Sequence, residues 1–274
     1  MIVTEGEEVA GAWPYFHRHR FGGILPTLDK PPFTLFCGPW ISSPPKGIKP
    51  AGNLSRHHRL LTTLSQGLPN RRFIRATAPY QFTNAQPLIK QGWQIRQFYS
   101  YRLRTDVLSP AELWDNLSGR VRTDVRKPVA AEGEIRSSND PALFRDLYQK
   151  LARKRGVKNI LSYPTFKRLF TTSLHLDRAH SWTYYLRDYG PVAAIWLPYD
   201  KKSAYLLGAA ADPELLTQTK AMTHLIWHAV QWCTERKLIF DFEGSYLPGV
   251  EEYYRSFGPE VTSYLQLVRN RLIR

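Results

Sequence analysis

Apolar residues recur along this chain with two periods, and each change of period marks the edge of an element. Residues 8–20 and 24–28 alternate apolar with polar or basic positions around Gly22-Gly23, which predicts a hairpin. A short strand is expected over 31–40, then an exposed Pro/Gly/Lys-rich loop over 42–52. Leu60, Leu61 and Leu64 recur at helical spacing after Asn53 and Ser55, either of which suits an N-cap, and Gly67-Leu68-Pro69 ends that helix. Residues 71–76 and 93–104 read as strands, with a short helix over 85–91 between them. Ser109-Pro110-Ala111-Glu112 opens a helix that runs to Lys127, before Pro128.

Beyond that proline the pattern is cleaner. A strand over 132–137 precedes helices over 140–155 and 163–176. Strands over 180–188, 191–198 and 203–209 are separated by Asp188-Tyr189-Gly190 and Tyr199-Asp200-Lys201, both turn signals. A long helix over 215–236, a buried strand from 238, a helix stopped by Gly258 and a strand over 261–268 complete the order β-α-α-β-β-β-α-β-α-β. The class is α/β.

Composition changes the picture in one respect. The 38 Lys and Arg against 23 Asp and Glu leave +15 over 274 residues, which favours a polyanionic partner. Residues 145–168 hold eight cations (Arg145, Lys150, Arg153, Lys154, Arg155, Lys158, Lys167, Arg168) against Asp146 alone, a basic face on two successive elements. Cys37 and Cys233 stand far apart, which suggests neither a disulfide framework nor a cysteine metal site. No apolar run approaches a membrane span and the acidic start resembles no signal peptide, so a cytoplasmic protein is expected.

The candidate chemistry lies in residues 238–258. Leu238, Ile239 and Phe240 lead into Asp241-Phe242-Glu243, where a period of two puts both carboxylates on one face. Gly244 allows a turn, Ser245 and Pro248 suit a helix start, and Tyr253, Tyr254 and Arg255 follow on that helix. Glu243 or Asp241 is a candidate general base, Arg255 suits an oxyanion or a phosphate, and Tyr254 or Tyr253 could protonate a leaving group. The competing reading has Asp241 capping the turn, Glu243 paired with Arg255 and the tyrosines in the core. Arg120, Arg122 and Arg126 offer phosphate ligands on the helix over 109–128, with 122 and 126 on one face. No metal is expected, because His224 and His228 lack a third ligand. Walker, dinucleotide-fingerprint and nucleophile-elbow motifs are missing.

The element order resembles the GNAT acyltransferase fold. Arg187-Asp188-Tyr189-Gly190-Pro191-Val192-Ala193-Ala194, Tyr205-Leu206-Leu207-Gly208-Ala209, Asp241-Phe242-Glu243-Gly244-Ser245, Pro248-Gly249 and Arg255-Ser256-Phe257-Gly258 resemble its FemAB-like branch, in which two such domains are fused. The resemblance implies a degenerate or abbreviated first domain over 1–108, a connecting helix over 109–128 and an acyltransferase domain over 129–274. Mostly antiparallel mixed sheets flanked by helices are expected in both. It also implies a donor in the cleft between domains, either aminoacyl-tRNA, with Arg255 near its end, or acyl-CoA, with no tightly bound cofactor. The acceptor is then an amine of a small molecule or peptide. In such enzymes a Q/R-x-x-G-x-G/A turn holds the CoA pyrophosphate on backbone N–H groups. Here that place reads Gln218-Thr219-Lys220-Ala221-Met222-Thr223, with both glycines replaced. Gln218, Lys220 and Ser245 are the remaining donor-binding candidates. A non-catalytic module that binds tRNA through the 145–168 face is the alternative of another class.

Overall fold

The computed structural model describes residues 1–20, 25–126, 133–156, 162–244 and 249–271. The order begins β1 (Ile2–Glu5), β2 (Glu8–Ala12), β3 (Phe16–Arg20), β4 (Leu25–Asp29), β5 (Trp40–Ile41), α1 (Pro50–Gln66), β6 (Phe73–Thr77), α2 (Gln86–Ile89) and β7 (Gln94–Leu103). It continues with α3 (Pro110–Asn116), α4 (Gly119–Arg126), β8 (Gly133–Ser137), α5 (Pro141–Lys154), α6 (Tyr163–His175), β9 (Ala179–Leu186) and β10 (Gly190–Pro198). Last come β11 (Ser203–Tyr205), β12 (Gly208–Ala211), α7 (Leu216–Thr219), α8 (Ala221–Arg236), β13 (Ile239–Asp241), α9 (Val250–Arg255) and β14 (Glu260–Asn270). No helix among the described residues is long and apolar enough to cross a membrane.

The chain forms two compact units, Met1–Tyr99 with Thr262–Arg274, and Ser100–Val261. These bounds differ from a division at 108 and 129. Residues 109–128 fall wholly in the second unit, and β14 returns to the first by pairing antiparallel with β6, Leu267 opposite Ala76. In the first unit α1 sets Leu61 and Leu64 against Leu28 of β4, Ile74 of β6 and Leu267 of β14. Trp13 and Trp93 close this core with ring centroids 5.3 Å apart.

Several expected elements divide. The stretch 8–20 is two strands in different sheets, because Pro14 lacks the N–H a continuous ladder needs. β2 pairs with β1, and β3 with β4; the Gly22-Gly23 turn lies outside the described residues. The strand over 31–40 reduces to β5, and α1 starts early with Pro50 in its first turn. The helix over 109–127 breaks at Leu117, whose backbone is extended; Ser118 then caps α4 by accepting the Val121 N–H at 3.3 Å. Past α9, Gly258 adopts φ +74°, and a Cβ there would lie 2.3 Å from the Asn116 carbonyl oxygen, so only glycine fits.

In the second unit β12, β10, β9 and β8 form an antiparallel sheet, while β11 pairs parallel with β13 and β13 antiparallel with β7. α8 is buried along most of its length, with Gln231, Glu235 and Arg236 exposed, and lies on β9, β10 and β13 with Leu225, Ile226, Ala229, Val230 and Cys233 fully buried. α5 and α6 bring Phe144, Phe166 and Phe170 together with Trp196 of β10. The expected strand over 203–209 is split between the two sheets. β11 runs beside β13 as far as the Leu206 N–H, which donates to Asp241 O at 2.8 Å, and two residues later β12 pairs with β10 instead. This break positions the site.

His180, His224 and His228 lie in the α8–β9 layer against Trp182, Tyr184 and Trp232. Burial lowers all three below the ordinary 6.5; Arg236 adds to this at His180, while Asp124 and Glu235 oppose it at His224 and His228. The unfolded chain therefore takes up protons that the folded chain resists. Their contribution is fully present above 6.5 and is lost as pH falls through the unfolded value toward the folded ones. The urea midpoint is expected to be lower at about pH 5.5 than at about pH 7.5. Equal midpoints would contradict it.

Candidate active site

β13 delivers its acids to two different environments. Asp241 ends the strand fully buried: Ser100 Oγ donates to Oδ1 at 2.6 Å, the Glu243 N–H donates to the same oxygen at 2.8 Å, and Arg102 Nε stands 3.3 Å from Oδ2. The Phe242 N–H donates to Tyr101 O, and the Phe242 ring packs 4.6 Å from that of Tyr254. Glu243 then takes φ +59°, so the period of two does not extend to it and the carboxylates do not share a face. Ser245 lies outside the described residues.

The second unit holds a cavity of about 500 Å³ whose lining includes Tyr254, on which Glu243 acts electrostatically, but none of residues 241–244 themselves. The cavity lies where the chain leaves β13 between β11 and β12, and Leu206, Ala209 and Ala211 of this stretch line it. Lys220, Thr223 and Ile226 of the α8 end, Tyr253 and Tyr254 of α9, Arg155 beyond α5, and Arg120 and Asp124 of α4 form its walls. Tyr253 and Thr223 hydroxyls are 3.0 Å apart. Burial pushes the Tyr253 hydroxyl up, and pushes Tyr254 up to about 12, with Arg155 opposing and Glu243 adding to the latter shift. Both phenols therefore keep their protons at neutral pH, as neutral hydrogen-bond donors.

The helix expected over 215–236 is interrupted at Lys220, whose φ of +53° separates α7 from α8. The Ala221 N–H donates to Thr219 Oγ1 at 3.3 Å and the Thr223 N–H to Lys220 O at 2.9 Å. Two donors of the helix start thus have partners within the chain, and side chains occupy both former glycine positions.

The other predicted residues separate clearly. Arg120 lines the cavity, whereas Arg122 donates to Asp115 O at 3.1 Å and Arg126 lies over the Trp114 ring at 5.3 Å, so the shared face of 122 and 126 packs on α3. Gln218 is exposed on α7, away from the wall that Lys220 joins. Arg255 pairs with Glu251 at 2.7 Å on an exposed face, and Tyr101 OH donates to the same carboxylate. The competing Glu243–Arg255 pair is not the one formed by Arg255 here. Periodicity alone did not single out Asp124, Arg155 or Thr223. For Asp124 a signal existed: with Leu117, Val121 and Val125 it falls on the apolar stripe of its helix.

A protein-family model described as acetyltransferase (GNAT) domain matches residues 119–269, more than half of the chain. The chain belongs to the GNAT family. Its fold is shared with FemX at a TM-score of 0.69 and 11% identity, over 96% of this chain and 86% of that one. A tandem GNAT protein from the clavulanic acid biosynthesis pathway gives 0.54 at 12% identity, over 97% and 81%. L-PGS from Bacillus licheniformis gives 0.50 at 10%, over 79% and 72%. No curated protein matches the chain. The fold of this GNAT protein is thus the two-domain form, mixed and mostly antiparallel, and its second unit carries the greater part of the acyltransferase domain.

Proposed function

We propose that this protein transfers an aminoacyl group from aminoacyl-tRNA to an amine of a small molecule or peptide. The observation that carries the reading is the cavity at the β11/β12 break, with cations and neutral phenols in its lining. The acceptor amine attacks the ester carbonyl carbon, a C–N bond forms, and the negative oxygen of the tetrahedral intermediate takes a hydrogen bond from Tyr254. The C–O bond then breaks as the departing tRNA oxygen takes a proton from the Tyr254 hydroxyl, and the proton of the amine passes to a base, for which Glu243 is the candidate and from which Tyr254 regains its proton through solvent. Asp241 already serves Ser100 and Arg102, and Arg255 serves Glu251.

The replaced glycines and the occupied N–H groups of the α8 start favour tRNA over the pyrophosphate of CoA. The net charge of +15, with exposed Arg153, Lys154, Lys167 and Arg168 on α5 and α6, supports the same donor; Lys150 and Arg145 already engage Asp212 and Tyr163, and Lys158 lies outside the described residues. Acyl-CoA is the second reading, because α8 still presents its amino end and Lys220 to the cavity.

Incubation with a charged tRNA pool, and separately with acyl-CoA species, tests both. Amine-dependent deacylation of tRNA is expected. The double variant Arg155→Ala/Lys220→Ala should raise KM for tRNA roughly tenfold and lower the salt slope by about two, with kcat unchanged. Turnover of acyl-CoA alone selects the second reading. Salt-sensitive tRNA binding without turnover of either donor means a non-catalytic RNA-binding module.

A further inference from the structure

We propose that Asp124 is the binding group for a primary ammonium on the substrate held in the second-unit cavity. This deepens the acyl-transfer reading and rests on it. Asp124 lines the cavity at 8% exposure, and its carboxylate makes no hydrogen bond or ion pair with any described residue. Arg120, one helical turn earlier on the same wall, stays beyond ion-pair distance and is exposed.

Three features make this carboxylate costly to the folded chain. It is buried without a countercharge, it shares the cavity lining with the apolar Val121 and Ile226, and it sits in the last turn of α4, where the carbonyl end of the helix repels an anion. A monocation bound in the cavity offsets all three.

The surroundings select an ammonium. Among the described residues no group of three or more His, Cys, Asp or Glu is placed to hold a metal ion. An ammonium brings three N–H donors and no acceptor. Asp124 offers carboxylate oxygens, and of the Thr223 and Tyr253 hydroxyls on the same cavity wall, 3.0 Å apart, one donates to the other while both retain lone pairs. Asp124 is close enough to Tyr253 to act on it electrostatically. The exposed cations Arg120 and Arg155 mark the mouth and the buried carboxylate the interior, so an elongated substrate places phosphate outside and ammonium inside.

Such an ammonium has two possible sources, the α-amine of an aminoacyl donor or the amine of the acceptor before it loses its proton. Calorimetric titration of the full chain with two matched pairs separates them and needs no turnover. The donor pair is 3′-deoxy-3′-alanylamido-adenosine against its propionylamido counterpart, which lacks the α-amine. The acceptor pair is ethanolamine against ethylene glycol. The wild-type chain is expected to prefer the ammonium member of one pair by about 10- to 100-fold, and Asp124→Asn to abolish that preference. Loss within the first pair assigns the site to the donor, and loss within the second to the acceptor. Asp124→Asn should keep or raise Tm, since it removes an unanswered charge, and Asp124→Glu, which displaces the carboxylate by one methylene, should retain part of the preference. The proposal is overturned if neither pair is discriminated by the wild-type chain, if Asp124→Asn discriminates as well as the wild type, or if that variant melts markedly lower. Failed acyl transfer with the discrimination intact would sink the proposed function and leave the ammonium site standing.

Discussion

Asp241→Ala is expected to destabilise the fold by about 3–5 kcal/mol, the usual cost of removing one partner from a buried charged pair. The carboxylate is fully buried and receives Ser100 Oγ and the Glu243 N–H, with the guanidinium of Arg102 beside it and 15% exposed. Alanine would leave a hydroxyl, an amide and a charge short of their acceptor in the interior. It would also release the turn that holds Glu243 at φ +59°. Urea unfolding measures the loss, and Asp241→Asn, which keeps one acceptor oxygen, should lose less. Full stability in Asp241→Ala with abolished transfer would reverse the assignment and restore Asp241 as a base.

Tyr254→Phe is expected to do the opposite. Its kcat for acyl transfer should fall by about 10²- to 10⁴-fold, the range for a lost proton donor at a reacting centre. Stability should stay within about 1 kcal/mol, because the ring keeps its packing on Phe242 and the hydroxyl makes no hydrogen bond to a described residue. Held up to about 12 by burial, the phenol remains protonated throughout the neutral range, so its own ionisation should not bend the pH–rate profile there. Single-turnover deacylation of aminoacyl-tRNA reads the effect directly. A variant that transfers at the wild-type rate removes Tyr254 from the chemistry and leaves it as part of the wall.

The two variants divide a stretch that reads as one functional motif. Asp241, Glu243, Tyr254 and Arg255 are all conspicuous in the chain, yet Asp241 and Arg255 are committed to Ser100, Arg102 and Glu251, and Tyr254 faces the cavity. Asp124 stands among arginines, and only its spacing with Leu117, Val121 and Val125 marks it as a residue that its helix turns inward. Lys220 gave no warning of a break, since a left-handed lysine leaves no mark on apolar spacing.

What the chain determined by itself is local. Leucines at helical spacing specify α1, an all-apolar face specifies α8 as a buried helix, glycine at 258 specifies a left-handed stop, and the order of elements specifies a GNAT fold. Partnership was decided only in three dimensions. Ser100 and Asp241 are separated by 141 residues, and the split of 203–209 between two sheets depends on which strands arrive beside it. Periodicity reports how deeply a residue is buried within its own element, because burial follows from the face it occupies. Whether a buried charge meets a counterion or lines a cavity depends on chain brought in from elsewhere, and no local pattern carries that.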